Sequence, residues 1–245
     1  MSTQSFADLG VSRAVVAALA ERGISEPFAI QRLVIADVLA GRDVLAKSPT
    51  GSGKTIAFGA PIVDRVAATD RRPAALVLAP TRELATQIVD ELRPLAYARA
   101  LRIAPVYGGV GIVKQAREAA RAHIVVATPG RLQDLLDRGD LTLDRVRILV
   151  LDEADRMLDM GFRPAVDRIV ARCPRERQTL FFSATLDGEA GRNGTAVTFV
   201  LPEQQADTSR VANRLGHRDQ FERAGMQTAR AKLVYTSRRG RRSKW

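Results

Sequence analysis

Val44-Leu45-Ala46 leads through Lys47 into Ser48-Pro49-Thr50-Gly51-Ser52-Gly53-Lys54-Thr55, and apolar residues then recur at helical spacing over residues 56–67. A strand, a glycine loop and a helix in that order form a phosphate-binding loop. Glycines at 51 and 53 let consecutive backbone N–H groups turn inward around phosphate oxygens without Cβ clashes. The helix that follows aims its positive dipole end at the same anion. Lys54 supplies a mobile cation for the outer phosphates, and Thr55 offers a hydroxyl to Mg²⁺. Ser48 stands where the generic loop has its first glycine, a small-for-small exchange. A Gly/Ser-rich turn before a helix is the plainer alternative, but Gly-Lys-Thr directly after a strand favours a nucleoside triphosphate.

A second site lies downstream. Arg147-Ile148-Leu149-Val150-Leu151 reads as a buried parallel strand and ends in Asp152-Glu153-Ala154-Asp155. A carboxylate at that strand tip, Asp152, can hold Mg²⁺ through its water shell, opposite Thr55. The neighbouring Glu153 can orient and deprotonate an attacking water. By itself an acidic tetrapeptide is a solvated turn or a helix start; the upstream loop changes that reading.

The 245 residues allow one large domain or two small ones, and 46% hydrophobic content is ample for a core. Lys and Arg number 38 against 27 acidic residues, a formal charge of +11 that favours a polyanionic partner such as nucleic acid. The single cysteine, Cys173, excludes an internal disulfide, fits a reducing compartment and is expected to pack. Met1-Ser2-Thr3-Gln4-Ser5 lacks a charged start and an apolar stretch, and no apolar run approaches the ~20 residues of a membrane span. A cytoplasmic location without membrane contact is the expectation.

Short apolar runs at 44–46, 74–79, 103–106, 124–127, 148–151 and 179–182 are expected as strands. Helical spacing occupies 56–67, 83–97, 113–121 and 164–171. Strands apolar on both faces and separated by helices indicate an α/β fold, a parallel sheet flanked by helices on both faces. Ligands then gather at the carboxyl ends of the strands, where every polar motif of this chain sits.

Those strand ends carry, in order, Pro80-Thr81-Arg82-Glu83-Leu84-Ala85, Gly108-Gly109, Thr128-Pro129-Gly130-Arg131, Asp152-Glu153-Ala154-Asp155 and Ser183-Ala184-Thr185. With the phosphate loop, this set resembles the DEAD-box family of ATP-dependent RNA helicases, P-loop NTPases with RecA-like lobes. Upstream, Gly23-Ile24-Ser25-Glu26-Pro27-Phe28-Ala29-Ile30-Gln31 is similar to that family's adenine-reading segment, with Phe6 at the usual distance before it. The resemblance is dense over residues 6–186.

The resemblance implies ATP and Mg²⁺ as cofactors. Lys54, Asp152 and Glu153 would be catalytic, with Thr55 and Asp152 on the metal. ATP would be held by residues 48–55 (Ser48, Pro49, Thr50, Gly51, Ser52, Gly53, Lys54 and Thr55), with Gln31 on the adenine edge and Phe6 stacked near the base. Gln donates and accepts together, which suits adenine's N6/N7 pattern. Phe28 replaces the threonine common in that segment. Pro80, Thr81, Arg82, Gly108, Gly109, Thr128, Pro129, Gly130 and Arg131 match positions that touch the RNA sugar–phosphate backbone, a chemistry independent of base sequence. Asp155, Ser183 and Thr185 match the coupling between the acidic site and the RNA-bound state. RNA is the implied partner, with ribonucleoprotein or RNA-decay assemblies beyond it. His123 and His217 match nothing and read as structural.

Members of the family have two RecA-like lobes with ATP in the cleft between them. After Leu186-Asp187-Gly188-Glu189 the text changes: Ala190-Gly191-Arg192-Asn193-Gly194-Thr195-Ala196-Val197-Thr198-Phe199-Val200 resembles the end of the second lobe. The second lobe's His-Arg-x-Gly-Arg-x-x-Arg pattern does not occur in these residues. The expectation is an internal deletion near residues 187–190, the rival being a divergent loop. The chain then divides into a helical segment at 1–40, an ATP-binding lobe at 41–186, a second-lobe remnant at 187–216 and a basic tail at 217–245. A strand is expected at 195–201 and a helix at 203–215, covering a bare sheet edge. Without the missing arginines, ATP and RNA affinity with weak hydrolysis and no unwinding is expected; a non-catalytic ATP- and RNA-binding module is the alternative. A transporter or GTPase is disfavoured, since no Asn-Lys-x-Asp pattern appears.

Overall fold

The computed structural model describes residues 4–48 and 51–183, together with the backbone of 195–198. Seven parallel strands make one sheet: β1 (Val44–Lys47), β2 (Ala75–Leu78), β3 (Ile103–Val106), β4 (Ile124–Ala127), β5 (Ile148–Leu151), β6 (Gln178–Ser183) and β7 (Thr195–Thr198). Their spatial order is β3-β4-β2-β5-β6-β1-β7. Three of the six strands expected upstream of residue 184 keep their expected bounds, and the other three shift by one residue at one or both ends. Val44 pairs with Thr195, so the strand expected from residue 195 does cover the outer edge of β1. The expected helix at 203–215 and His217 lie outside the described residues.

The sheet is two-sided because each strand alternates between two cores. Ala75, Val77, Ile124, Val126, Ile148, Val150, Leu180 and Phe182 face one cluster. Leu76, Leu78, Val125, Ala127, Leu149 and Leu151 face the other. The first cluster is covered by α1 (Arg13–Ala20), α2 (Ala29–Leu39), α3 (Lys54–Arg65) and α4 (Arg82–Ala98). The second is covered by α5 (Ile112–Arg121), α6 (Pro129–Asp137), α7 (Ala154–Asp159) and α8 (Arg163–Arg172). A period-2 apolar strand buried on both faces must have helices on both. The first forty residues therefore share the sheet's core: Phe6, Val15, Val34 and Ile35 sit in the same cluster as Val77 and Phe182. Helices α3 and α4 pack closely at Gly59, where a Cβ would run into Leu92.

Two expected packing residues behave as such. Cys173 is buried, and burial pushes its thiol up to about 11. His123 is 1% exposed: its Nδ1 accepts from the Arg102 N–H at 2.9 Å, and its Nε2 lies 3.0 Å from the Ala68 carbonyl. Arg72 Nε also lies 3.0 Å from Nε2, so backbone and side-chain groups hold both ring nitrogens. Burial, the largest cause, holds the His123 pKa below the usual histidine value. Among the described residues no helix is long and apolar enough to cross a membrane.

Candidate nucleotide and RNA site

All strands run the same way, so every strand-to-helix turn that carries a motif opens on one edge of the sheet. Order along that edge then decides which motifs meet. Strands β1 and β5 are separated only by β6, roughly 10 Å at ordinary strand spacing. Strands β2, β4 and β3 fill the other half.

The first half is built of buried polar groups. Ser48, 0% exposed, donates its N–H to the Ser183 carbonyl at 3.0 Å, tying the phosphate loop to the end of β6. Its hydroxyl meets that of Ser52. Gly51 and Gly53 take φ of +82° and +86°, the left-handed region that favours glycine. Helix α3 starts at Lys54, a residue 7% exposed whose ammonium donates to the Ser48 carbonyl at 2.9 Å. Thr55 follows, half-buried. Pro49 and Thr50 lie outside the described residues.

Asp152 is 2% exposed at the tip of β5 and accepts the Glu153 N–H at 3.0 Å. Burial pushes its pKa up to about 6; the Lys54 charge pulls the other way, and Glu153 and Asp155 add to the rise. With β1 and β5 separated only by β6, the phosphate loop and the acidic tetrapeptide open on the same half of the sheet edge, near enough for the Lys54 charge to lower the Asp152 pKa. Glu153 caps α7 at φ +50°, unusual for a residue with a side chain, and its carboxylate accepts from Arg156 at 3.2 Å. Asp155 accepts the Arg156 N–H at 3.0 Å. Ser183 is 1% exposed, and Ala184 and Thr185 lie outside the described residues.

The donor set suits a Mg²⁺-bound triphosphate. Among the described residues no three carboxylate, imidazole or thiol groups form a cage. A metal here must take its remaining ligands from phosphate and water, as Mg²⁺ does. A buried aspartate strained toward its neutral form is released by a dication, and the two positive-φ glycines leave a cradle without side chains.

Gln31 sits beside the loop, 2% exposed on α2. Its Oε1 accepts the Phe28 N–H at 2.8 Å and its Nε2 donates to the Gly53 carbonyl at 3.0 Å. A cavity of about 350 Å³ opens here, lined by Gly23, Ile24, Phe28, Gln31, Gly53 and Ile56 among others. Phe6 is not in its lining and lies in the core at 2% exposure.

The second half is open. Thr81 caps α4, its hydroxyl accepting the Leu84 N–H at 3.2 Å, while Pro80 is buried behind it. Exposed Arg82 lays its guanidinium 5.0 Å from the centre of the Tyr107 ring. Gly108 and Gly109 follow β3, and a Cβ on Gly109 would stand 3.0 Å from the Arg82 Nη1. Thr128 caps α6 with Pro129 in its first turn, Gly130 is exposed, and Arg131 donates from Nη1 to the Val110 carbonyl at 2.9 Å and to Gln115 Oε1 at 3.0 Å. Arg82, Gly109 and Arg131 are thus drawn together from three strand ends. Tyr107 and Gln115, which hold the two arginines, carried no signal in the sequence beyond an aromatic after β3 and one polar residue on an apolar helix face.

Comparison with known proteins gives one consistent result. A family model described as DEAD/DEAH box helicase matches residues 28–192. The chain is 44% identical over 183 residues to the DEAD-box ATP-dependent RNA helicase CshA of Geobacillus kaustophilus, covering 74% of this chain and 39% of that protein. It is 43% identical over 222 residues to the RNA helicase CrhR of Synechocystis, covering 88% of this chain and 45% of that protein. A solved DEAD box protein from the hyperthermophile Methanococcus jannaschii superposes with a TM-score of 0.75 at 32% identity, covering 86% of this chain and 63% of that one. The chain spans less than half the length of these two curated relatives.

Proposed function

Because this chain belongs to the DEAD/DEAH box helicase family, we propose that it binds ATP with Mg²⁺ on one half of its sheet edge and the backbone of RNA on the other. One observation carries the reading: Lys54 and Asp152, each at most 7% exposed, follow the ends of two strands separated only by β6, beside a glycine cradle. Lys54 neutralises the outer phosphates. Thr55 and Asp152 hold the metal, and Glu153 orients water. Bound Mg²⁺ supplies charge stabilisation at the transferred phosphate.

Adenine selectivity falls to Gln31. A carboxamide has two N–H donors and two acceptor lone pairs; the chain uses one of each, on Gly53 and Phe28. One donor and one acceptor are left, the pair that adenine's N7 and N6 amino group require.

In this reading residues 41–186 are the ATP-binding lobe, 187–216 the remnant of a second lobe and 217–245 a basic arm that adds phosphate contacts. Asp155, Ser183 and Thr185 couple the halves. The activity named for the relatives is that of an RNA helicase, ATP-dependent in the name of the Geobacillus protein. The 245 residues alone bind both ligands but turn ATP over slowly, because arginines that reach the transferred phosphate are worth roughly 10³–10⁵ in rate and no residue here matches the family's. A cytoplasmic site of action, among RNA-processing assemblies, follows from the reducing compartment expected of its single cysteine and from its RNA partner.

The test is calorimetric titration with ATP–Mg, GTP–Mg and single-stranded RNA, together with phosphate release with and without RNA. ATP and RNA binding, discrimination against GTP and little RNA-stimulated release are expected. RNA-stimulated turnover at the rate of a complete relative refutes the slow-turnover reading, and absence of ATP binding refutes the whole.

A further inference from the structure

Phe28 is a phenylalanine that leaves most of its ring exposed and does not cap. It is 60% exposed at the N-cap of α2, and its side chain makes no capping hydrogen bond. A hydroxyl residue at that position would satisfy one of the helix's free N–H groups; a phenyl ring cannot. Most of an exposed ring's apolar area also gains nothing from burial. The two ordinary reasons for an apolar residue at a helix start are therefore missing.

Its position supplies a third. The ring lines the 350 Å³ cavity beside Gln31 and Gly53. Its Cδ2 lies 2.7 Å from where a Cβ on Gly53 would stand, so it overhangs the last glycine of the phosphate loop. Its own N–H is held by Gln31 Oε1 at 2.8 Å, which fixes the ring's backbone to the residue that reads the base. Polar recognition in the plane of a purine and an aromatic face against its π-surface are the two contacts such a ligand takes. Phe6, the aromatic expected near the base, is enclosed in the core.

We propose that Phe28 is a base-binding residue, an aromatic platform for the base of the bound nucleotide at the mouth of the Gln31 cavity. The proposal rests on the ATP-binding reading above and adds the group that grips the base rather than the phosphates.

Calorimetric titration of the full chain with ATP–Mg and with inorganic triphosphate–Mg tests it, on the wild type, Phe28→Leu and Phe28→Tyr. The expected result is about a tenfold loss of ATP affinity for Phe28→Leu, unchanged affinity for inorganic triphosphate, and near-wild-type behaviour for Phe28→Tyr. Unchanged melting of the ligand-free variants accompanies this, because the ring is exposed. ATP affinity untouched by Phe28→Leu overturns the proposal while leaving the ATP reading intact. An equal loss for both ligands overturns it in favour of a role in supporting the loop. Wild-type protein that takes up neither ligand overturns the ATP reading and this proposal with it.

Discussion

Gly53 and Gly109 hold nearly the same backbone angle, φ +86° and +83°, at two halves of one sheet edge, and their surroundings differ. Around Gly53 the polar groups are buried: Ser48, Lys54, Gln31, Asp152 and Ser183 are each at most 7% exposed. Around Gly109 burial is mixed: Arg82 is exposed over a tyrosine, while the Arg131 side chain, 15% exposed, is tied to a carbonyl and to the carboxamide of buried Gln115. The first half is dry and set before any ligand arrives, so its energetics are governed by desolvation. The second is wetter, and the charge that reaches solvent there, on Arg82, acts through screened attraction. A triphosphate gripped by main-chain amides needs the former. A polyanion read only along its backbone is served by the latter.

The largest expected difference between the halves comes from adding a methyl group to each glycine. Both substitutions place alanine in the left-handed region, a strain of about 1 kcal/mol. A Cβ at 53 also meets Gln31 Nε2 at 2.6 Å and Phe28 Cδ2 at 2.7 Å, whereas at 109 it meets only the free end of Arg82 at 3.0 Å. Gly53→Ala is expected to cost roughly 2–4 kcal/mol in urea unfolding and Gly109→Ala about 1 kcal/mol. Equal losses at the two positions would remove the contrast.

Next in size is an effect in the stabilising direction, and it separates dry from wet by pH. The Asp152 carboxyl titrates near 6 in the fold against 3.8 ordinarily, with burial the chief cause. A raised carboxyl pKa means that the folded state binds the proton more tightly than the unfolded chain. Its stability is therefore full below 3.8 and declines as pH rises through about 6. Asp152→Asn removes the charge and is expected to stabilise the ligand-free protein at pH 8 by on the order of 2–3 kcal/mol, a gain that vanishes near pH 4. Melting temperatures across that range measure it. A variant less stable than wild type at pH 8 shows instead that Lys54 outweighs burial.

The two halves were also unequally legible in the sequence. The phosphate loop and the acidic tetrapeptide announce themselves because each is a run of neighbours whose chemistry is local. The sheet was readable for the same reason: strands such as Ile148–Leu151 are apolar on both faces and end in turn residues. What the residues did not disclose is long-range pairing. Nothing in the string says that Gln31 reaches Gly53, that Arg82 rests on Tyr107, or that Arg131 is held by Gln115 from another helix. Phe6 shows the converse: a residue placed by spacing alone proves to be core, and spacing carries no information on which way a ring points.

On the wet side, single substitutions are expected to be modest and salt-sensitive. In the proposed RNA reading, Arg131→Ala removes a charge set against phosphate. RNA affinity is expected to fall about fivefold near physiological salt, and the slope of log affinity against log salt to shrink by about 0.7, the share of one single-strand phosphate contact. ATP affinity should stay the same. A loss without any change in slope would mean that Arg131 supports the fold instead of touching RNA.

The smallest expected effect is the sharpest test of how the wet half is organised. Gln115 is 5% exposed and accepts one N–H of Arg131, so in the RNA reading it acts through that guanidinium. Gln115→Leu keeps the volume and the helix but leaves the guanidinium with the Val110 carbonyl and the Asp134 carboxylate, 3.6 Å from its Nε, to orient it. Affinity for RNA is expected to drop two- to threefold, about 0.5 kcal/mol, with the salt slope unchanged because the charge is still present. In a double-mutant cycle with Arg131→Ala the two losses should not add, since the first acts only through the second. Additive losses would show that Gln115 acts on RNA binding by some other route, and that Arg131 needs no partner to hold it over the groove.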